Sequence, residues 1–169
     1  MAFNEGLTAL EVLGLAIRSE IEAASLYAYM VGQVRNTSLA SKLAFLRQEE
    51  EKHREMLESL YSHRFPDIEL QLPAKSPVPQ IQLANLADLS VPELFQLALK
   101  AEQMAAEFYA READRSNDQT GRIMLRYLSN VERGHHHLLE TEYELVSRFP
   151  SYYDADEFHF GDEMMHIGP

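Results

Sequence analysis

The chain has 169 residues, 46% of them apolar, which is enough for one soluble domain with a sizeable core. Its 27 acidic and 15 basic residues leave a net charge of -12, which repels polyphosphate and anionic lipid and argues against a nucleic-acid or membrane partner. Cysteine is absent, so disulfides, thiolate metal sites, iron-sulfur clusters and cysteine nucleophiles are excluded, and any metal must be held by Glu, Asp or His.

The opening MAFNEGL lacks a basic region followed by an apolar run, and no long apolar stretch follows, so a cytoplasmic location is expected. The first predicted helix runs from about Thr8 to Arg35 and starts at the capping box TALE. Glu20 sits on its apolar face between Ile17 and Ala24. After the turn signal NTS, a second helix is predicted from about Thr37 to His63. There Leu39, Leu43, Leu46, Glu50, His53, Leu57 and Leu60 follow steps of four and three, so one buried stripe includes a glutamate and a histidine. Pro66, Pro73, Pro77 and Pro79 then rule out a continuous helix and predict an extended crossover over 66–89. The third helix is predicted from about Ser90 to Arg115, starting at the capping box SVPE, with Glu102 between Ala98 and Ala105. A turn at SND leads into a fourth helix from about Asp118 to Arg148, whose stripe is Leu125, Leu128, Glu132, His135 and Leu139.

The second pair of helices repeats the first at a constant spacing of 82 residues. EEEKHREMLESLY (49–61) lies over VERGHHHLLETEY (131–143), with Glu50 on Glu132, His53 on His135 and Tyr61 on Tyr143. Upstream, Glu20 falls on Glu102 and Tyr27 on Tyr109, and each repeat ends in RFP. Two tandem helix hairpins, about 8–65 and 90–149, are therefore expected within one domain over 1–150. Helices of about 27 residues are roughly 40 Å long, and 24 extended residues reach about 80 Å, so the crossover can run the length of the bundle. The expected fold is all-α: a four-helix bundle with one long crossover, the ferritin-like connection.

Glu20 and the Glu50–His53 pair are about equally far from the NTS turn, and Glu102 and the Glu132–His135 pair are about equally far from SND. In antiparallel hairpins such residues share a level, so four glutamates and two histidines are expected in one inward-facing layer. An unpaired buried carboxylate costs several kcal/mol or is forced to hold a proton. Two divalent cations would neutralise four carboxylates, and neutral imidazoles add donors without charge. A Glu from each of two helices plus Glu-x-x-His from each of the other two is the ligand set of di-iron and di-manganese carboxylate proteins. The donor types suit iron, manganese or zinc.

On these motifs the sequence resembles the rubrerythrin-like branch of the ferritin-like superfamily, in its short form without a rubredoxin domain, over about 8–150. The resemblance implies two iron ions held by Glu20, Glu50, His53, Glu102, Glu132 and His135, with Glu50 and Glu132 as bridging carboxylates. It also implies that Tyr27 and Tyr109, each seven residues after a helix glutamate, hydrogen-bond ligand carboxylates, and that Glu49 hydrogen-bonds His135 of the opposite repeat. The counterpart of Glu49 is Val131, which leaves His53 without such a partner. The family's extra glutamate three residues after the third-helix ligand is replaced by Ala105. The absent rubredoxin site implies a separate electron-donor protein. The activity expected by resemblance is a di-iron oxidoreductase acting on oxygen or hydrogen peroxide. The alternatives are a ferroxidase and iron-storage protein of bacterioferritin type, or a di-iron hydroxylase like the demethoxyubiquinone enzyme. His136 and His137 point away from the seam and are assigned no role. The tail, 151–169, is aromatic and Met-rich, so it is expected to pack on the bundle or on a second subunit of a homodimer. If helical, it would put His159, Glu163 and His166 on one face.

Overall fold

Both capping boxes form and fix the starts of their helices. Thr8 accepts the Glu11 N–H while the Glu11 carboxylate accepts the Thr8 N–H at 2.8 Å, and Ser90 and Glu93 repeat the pattern at 2.7 Å. The computed structural model describes residues 6–74, 76, 83–149 and 151–154. Four long helices result: α1 (Ala9–Val31), α2 (Thr37–Arg64), α4 (Val91–Arg115) and α5 (Gln119–Arg148), with a single-turn α3 (Leu83–Leu86) before α4. No strand occurs among the described residues, and none of their helices is long and apolar enough to cross a membrane.

The chain is an all-α, ferritin-like four-helix bundle in which α1 packs on α2 and α4 on α5. The direction of the halves follows from two cross-repeat hydrogen bonds, Tyr27 to Glu102 and Tyr109 to Glu20. Moving seven residues up α1 moves the partner seven residues down α4, so those helices are antiparallel. Because α2 is antiparallel to α1, α2 and α4 run the same way. The connection from the end of α2 to the start of α4 must therefore return along the whole bundle.

Two boundaries differ from expectation. The first helix ends at Val31 rather than near Arg35: Gly32 is its C-cap, and the Arg35 and Asn36 amides turn outward to the Tyr153 carbonyl at 2.8 and 3.3 Å. Those amides find an acceptor on another segment, and Asn36 then caps α2 through its side chain, which accepts from the Leu39 amide at 2.9 Å. The crossover, expected to be extended, includes the turn of α3, beyond its last proline, where Leu86 is buried in the core. The Pro77 and Pro79 portion lies outside the described residues.

The core is divided in two. One apolar cluster gathers Ile17, Leu57, Tyr61, Phe108, Tyr109 and Leu128. The other gathers Leu26, Tyr27, Leu39, Leu46, Phe95 and Leu139, and Tyr152 joins it from the beginning of the tail. The inward-facing glutamates and histidines lie between them along the helices.

Candidate metal centre

Each polar residue of the layer sits on a stripe that is otherwise leucine and alanine, so forming the helix carries it inward. Glu20, Glu50, His53, Glu102, Glu132 and His135 are all buried, none more than 5% exposed. The structure brings all six together. They form two groups of four donors, Glu20, Glu50, His53 and Glu132 on one side and Glu50, Glu102, Glu132 and His135 on the other, each with its donor atoms within 4.8 Å of one another. Glu50 and Glu132 belong to both groups and so stand between two ion positions.

The imidazoles face the carboxylates through Nδ1. His53 Nδ1 lies 3.3 Å from both Glu20 Oε2 and Glu50 Oε2, and 3.5 Å from Glu132 Oε1. His135 Nδ1 lies 2.9 Å from Glu50 Oε1, 3.2 Å from Glu132 Oε2 and 3.9 Å from Glu102 Oε2. The two rings stack at 5.7 Å between centroids.

Several of these atoms make no aligned hydrogen bond despite full burial: Glu20 Oε2, Glu132 Oε1, and the Glu50 Oε1 and His135 Nδ1 that face each other at 2.9 Å. Native interiors rarely leave polar atoms in that state. Two oxygen- and nitrogen-seeking dications would satisfy them and neutralise the four carboxylates, so the donor set fits a pair of metal ions.

Without cations the layer must hold protons. Burial, reinforced by neighbouring carboxylates, pushes Glu50 and Glu102 well above the usual carboxylate range and raises Glu132 to about 8. Burial acts on Glu20 in the same sense, but its interactions with His53, Glu50 and Tyr109 outweigh it and hold Glu20 below the ordinary value.

The two tyrosines are fully buried and donate to carboxylates, but across the repeats: Tyr27 bonds Glu102, and Tyr109 bonds Glu20. Spacing along one helix could not reveal this, because the partner is chosen by the antiparallel register of α1 and α4. Burial, then the nearby carboxylates, raises both phenols well above their normal range, so they keep their protons and act as donors. Glu49 departs from its expected role. Its carboxylate accepts from Lys52 Nζ at 2.7 Å rather than from His135, because an ammonium one turn along the exposed side offers a nearer counter-charge. His136 is half-buried, and His137 is exposed, 3.8 Å from Glu140. His159, Glu163 and His166 lie outside the described residues.

Two buried acids outside the layer, Glu112 and Glu142, go beyond the sequence reading, and Glu112 is paired with Arg111 at 3.0 Å and Arg115 at 3.5 Å. Glu142 is paired with Lys42 and accepts from the Tyr152 hydroxyl at 2.9 Å, which pins the first residues after α5 to the bundle. The sequence did carry a signal. Glu142 continues the α5 stripe one step past Leu139, where the other repeat has Leu60.

The Rubrerythrin family model matches residues 11–143. A solved structure of a hypothetical protein from Pyrococcus furiosus superposes with a TM-score of 0.76 at 34% identity, covering 85% of this chain and 92% of that one. No functionally curated protein matches. With the six inward-facing donors in the family's paired pattern and its model spanning α1 to α5, the chain belongs to the rubrerythrin family.

Proposed function

We propose that the protein is a di-iron oxidoreductase that reduces hydrogen peroxide or oxygen with electrons from a separate donor protein. The observation that carries this reading is the pair of four-donor groups sharing Glu50 and Glu132. Two redox-active ions held there by these six residues would supply two electrons to one oxidant, and hydrogen peroxide taking up two electrons and two protons gives two waters. The chain's own residues set the conditions. Tyr109 and Tyr27 fix the orientation of Glu20 and Glu102. The leucine clusters on either side exclude bulk water. Between α1 and α4, a space of about 10 Å³ borders Ala23, Ala105 and all four glutamates, room for a molecule the size of water. Without cysteine the chain holds no second redox centre of thiolate type, so reducing equivalents come from another protein.

Ala105 leaves the site without a further carboxylate, so its residues provide no bias toward peroxide. Oxidation of the reduced, iron-loaded protein by oxygen and by peroxide is expected at rates within about tenfold, a barrier difference of roughly 1.4 kcal/mol. Ala105→Glu is expected to favour peroxide, since a carboxylate one helical turn from Glu102 can deliver a proton to the departing oxygen. Anaerobic loading, elemental analysis and stopped-flow oxidation test this together. About one metal or none per chain refutes the di-metal reading. A wild-type preference for peroxide of a hundredfold or more refutes the role given to Ala105.

A further inference from the structure

The repeat makes the two ion positions equivalent by sequence, yet their surroundings differ. On the first hairpin a groove of about 170 Å³ between α1 and α2 reaches the Glu20 and Glu50 carboxylates. Ile21, Ala24 and Ala28 form one wall, while Arg47 and Arg54 stand on the other. On the second hairpin the counterpart of Arg47 is Ser129, which is buried and donates its Oγ proton to the Ala106 carbonyl at 2.9 Å. That bond draws α5 against α4. Ala106, the counterpart of Ala24, is buried where Ala24 is only half-buried. The cavity on that side is bordered by Ala110, Asp114, Arg126, Ser129, Asn130 and Arg133, and touches neither Glu102 nor Glu132.

The charges at the open groove are also uneven. Arg47 is paired with Glu51 at 3.0 Å, but Arg54 Nε is buried without a hydrogen-bond partner, its nearest acid being Glu58 at 3.6 Å. The counterpart of Arg54 is His136. With the Arg47 and Arg54 side chains at its edge the groove is less acidic than the carboxylate layer beneath it, which eases the approach of a small anion or neutral molecule.

We propose that the α1–α2 groove is the route by which small anionic or peroxide-sized ligands reach the ion position formed by Glu20 and His53, while the position formed by Glu102 and His135 has no such groove along its own hairpin among the described residues. This rests on the di-metal reading. The two sites therefore differ in access: one is approached along its own hairpin, and the other borders only the water-sized space between α1 and α4.

Azide binding to ferric-loaded protein, followed by its visible absorption after metal content has been measured, tests the proposal. One azide per chain is expected. Ala24→Leu and Ala28→Phe should each weaken binding at least tenfold with two metals retained, and Arg54→Gln should weaken it several-fold and reduce its salt dependence. Ala110→Phe, the change matching Ala28→Phe on the second hairpin, should leave azide affinity within twofold. Fewer than two metals in the wild type overturns both readings. Two metals with azide affinity unchanged in Ala28→Phe overturns the groove alone, as do two azides bound with equal affinity.

Discussion

Raising the pH of the metal-free protein from 5 to 7 is expected to destabilise it, the reverse of what paired surface carboxylates do. Glu132 holds its proton to about pH 8 in the folded chain, whereas in the unfolded chain it releases it near 4.5. Between those values the folded state binds the extra proton, so the free energy of unfolding falls as pH rises. Because the group is buried, its contribution is close to the full 1.4 kcal/mol per pH unit, or about 3 kcal/mol between pH 5 and 7. Glu50 and Glu102 are displaced in the same direction and add to the loss. Glu20, Glu49 and the capping acids Glu11 and Glu93 are held below their ordinary values, so their stabilisation is lost as pH falls, below this window. For a chain of this size 3 kcal/mol is a fall in Tm of about 6 to 12 °C. Differential scanning calorimetry in the presence of a chelator measures it, and Glu132→Gln, which cannot titrate, should flatten the slope by about 1.4 kcal/mol per unit. A Tm that stays level or rises from pH 5 to 7 would refute the assignment of protons to this layer.

Metal loading should stabilise the fold by about 3 to 4 kcal/mol when free metal exceeds its Kd several-hundredfold, read as a Tm that rises with added iron and falls again with chelator. Equal melting of the two forms would count against ion binding. Tyr152→Phe should cost about 1 to 3 kcal/mol, because Glu142 stays buried with one donor fewer; urea unfolding measures it, and an unchanged midpoint would show that this contact does not anchor the segment.

Much of the fold was legible because its signals are local. Capping boxes, the four-three leucine stripes and the proline-rich crossover each act within a few residues, and the repeat doubled every one of them. The inward set of Glu20, Glu50, His53, Glu102, Glu132 and His135 was legible for the same reason, since a helix that buries Leu46 and Leu57 must also bury what lies between them on the same stripe. What escaped depends on contacts between segments distant in sequence. The end of α1 is set by a carbonyl of Tyr153, more than a hundred residues away. The tyrosine partners follow the register of two helices from different repeats. Glu49 turned to Lys52 because a rotamer choice on an exposed face is decided by whichever charge is nearest. The Ser129 hydroxyl likewise bonds a carbonyl on the neighbouring helix, that of Ala106.

Neither four-donor group is complete within one hairpin. The first takes Glu132 from the second repeat, and the second takes Glu50 from the first. The hairpins pack more extensively within themselves than against each other. A bound ion pair would therefore act as a cross-link at the junction where apolar contact is thinnest. Cooperativity between the two halves then becomes a property of the filled site, and once the ions are stripped, each repeat is freer to open independently of its twin.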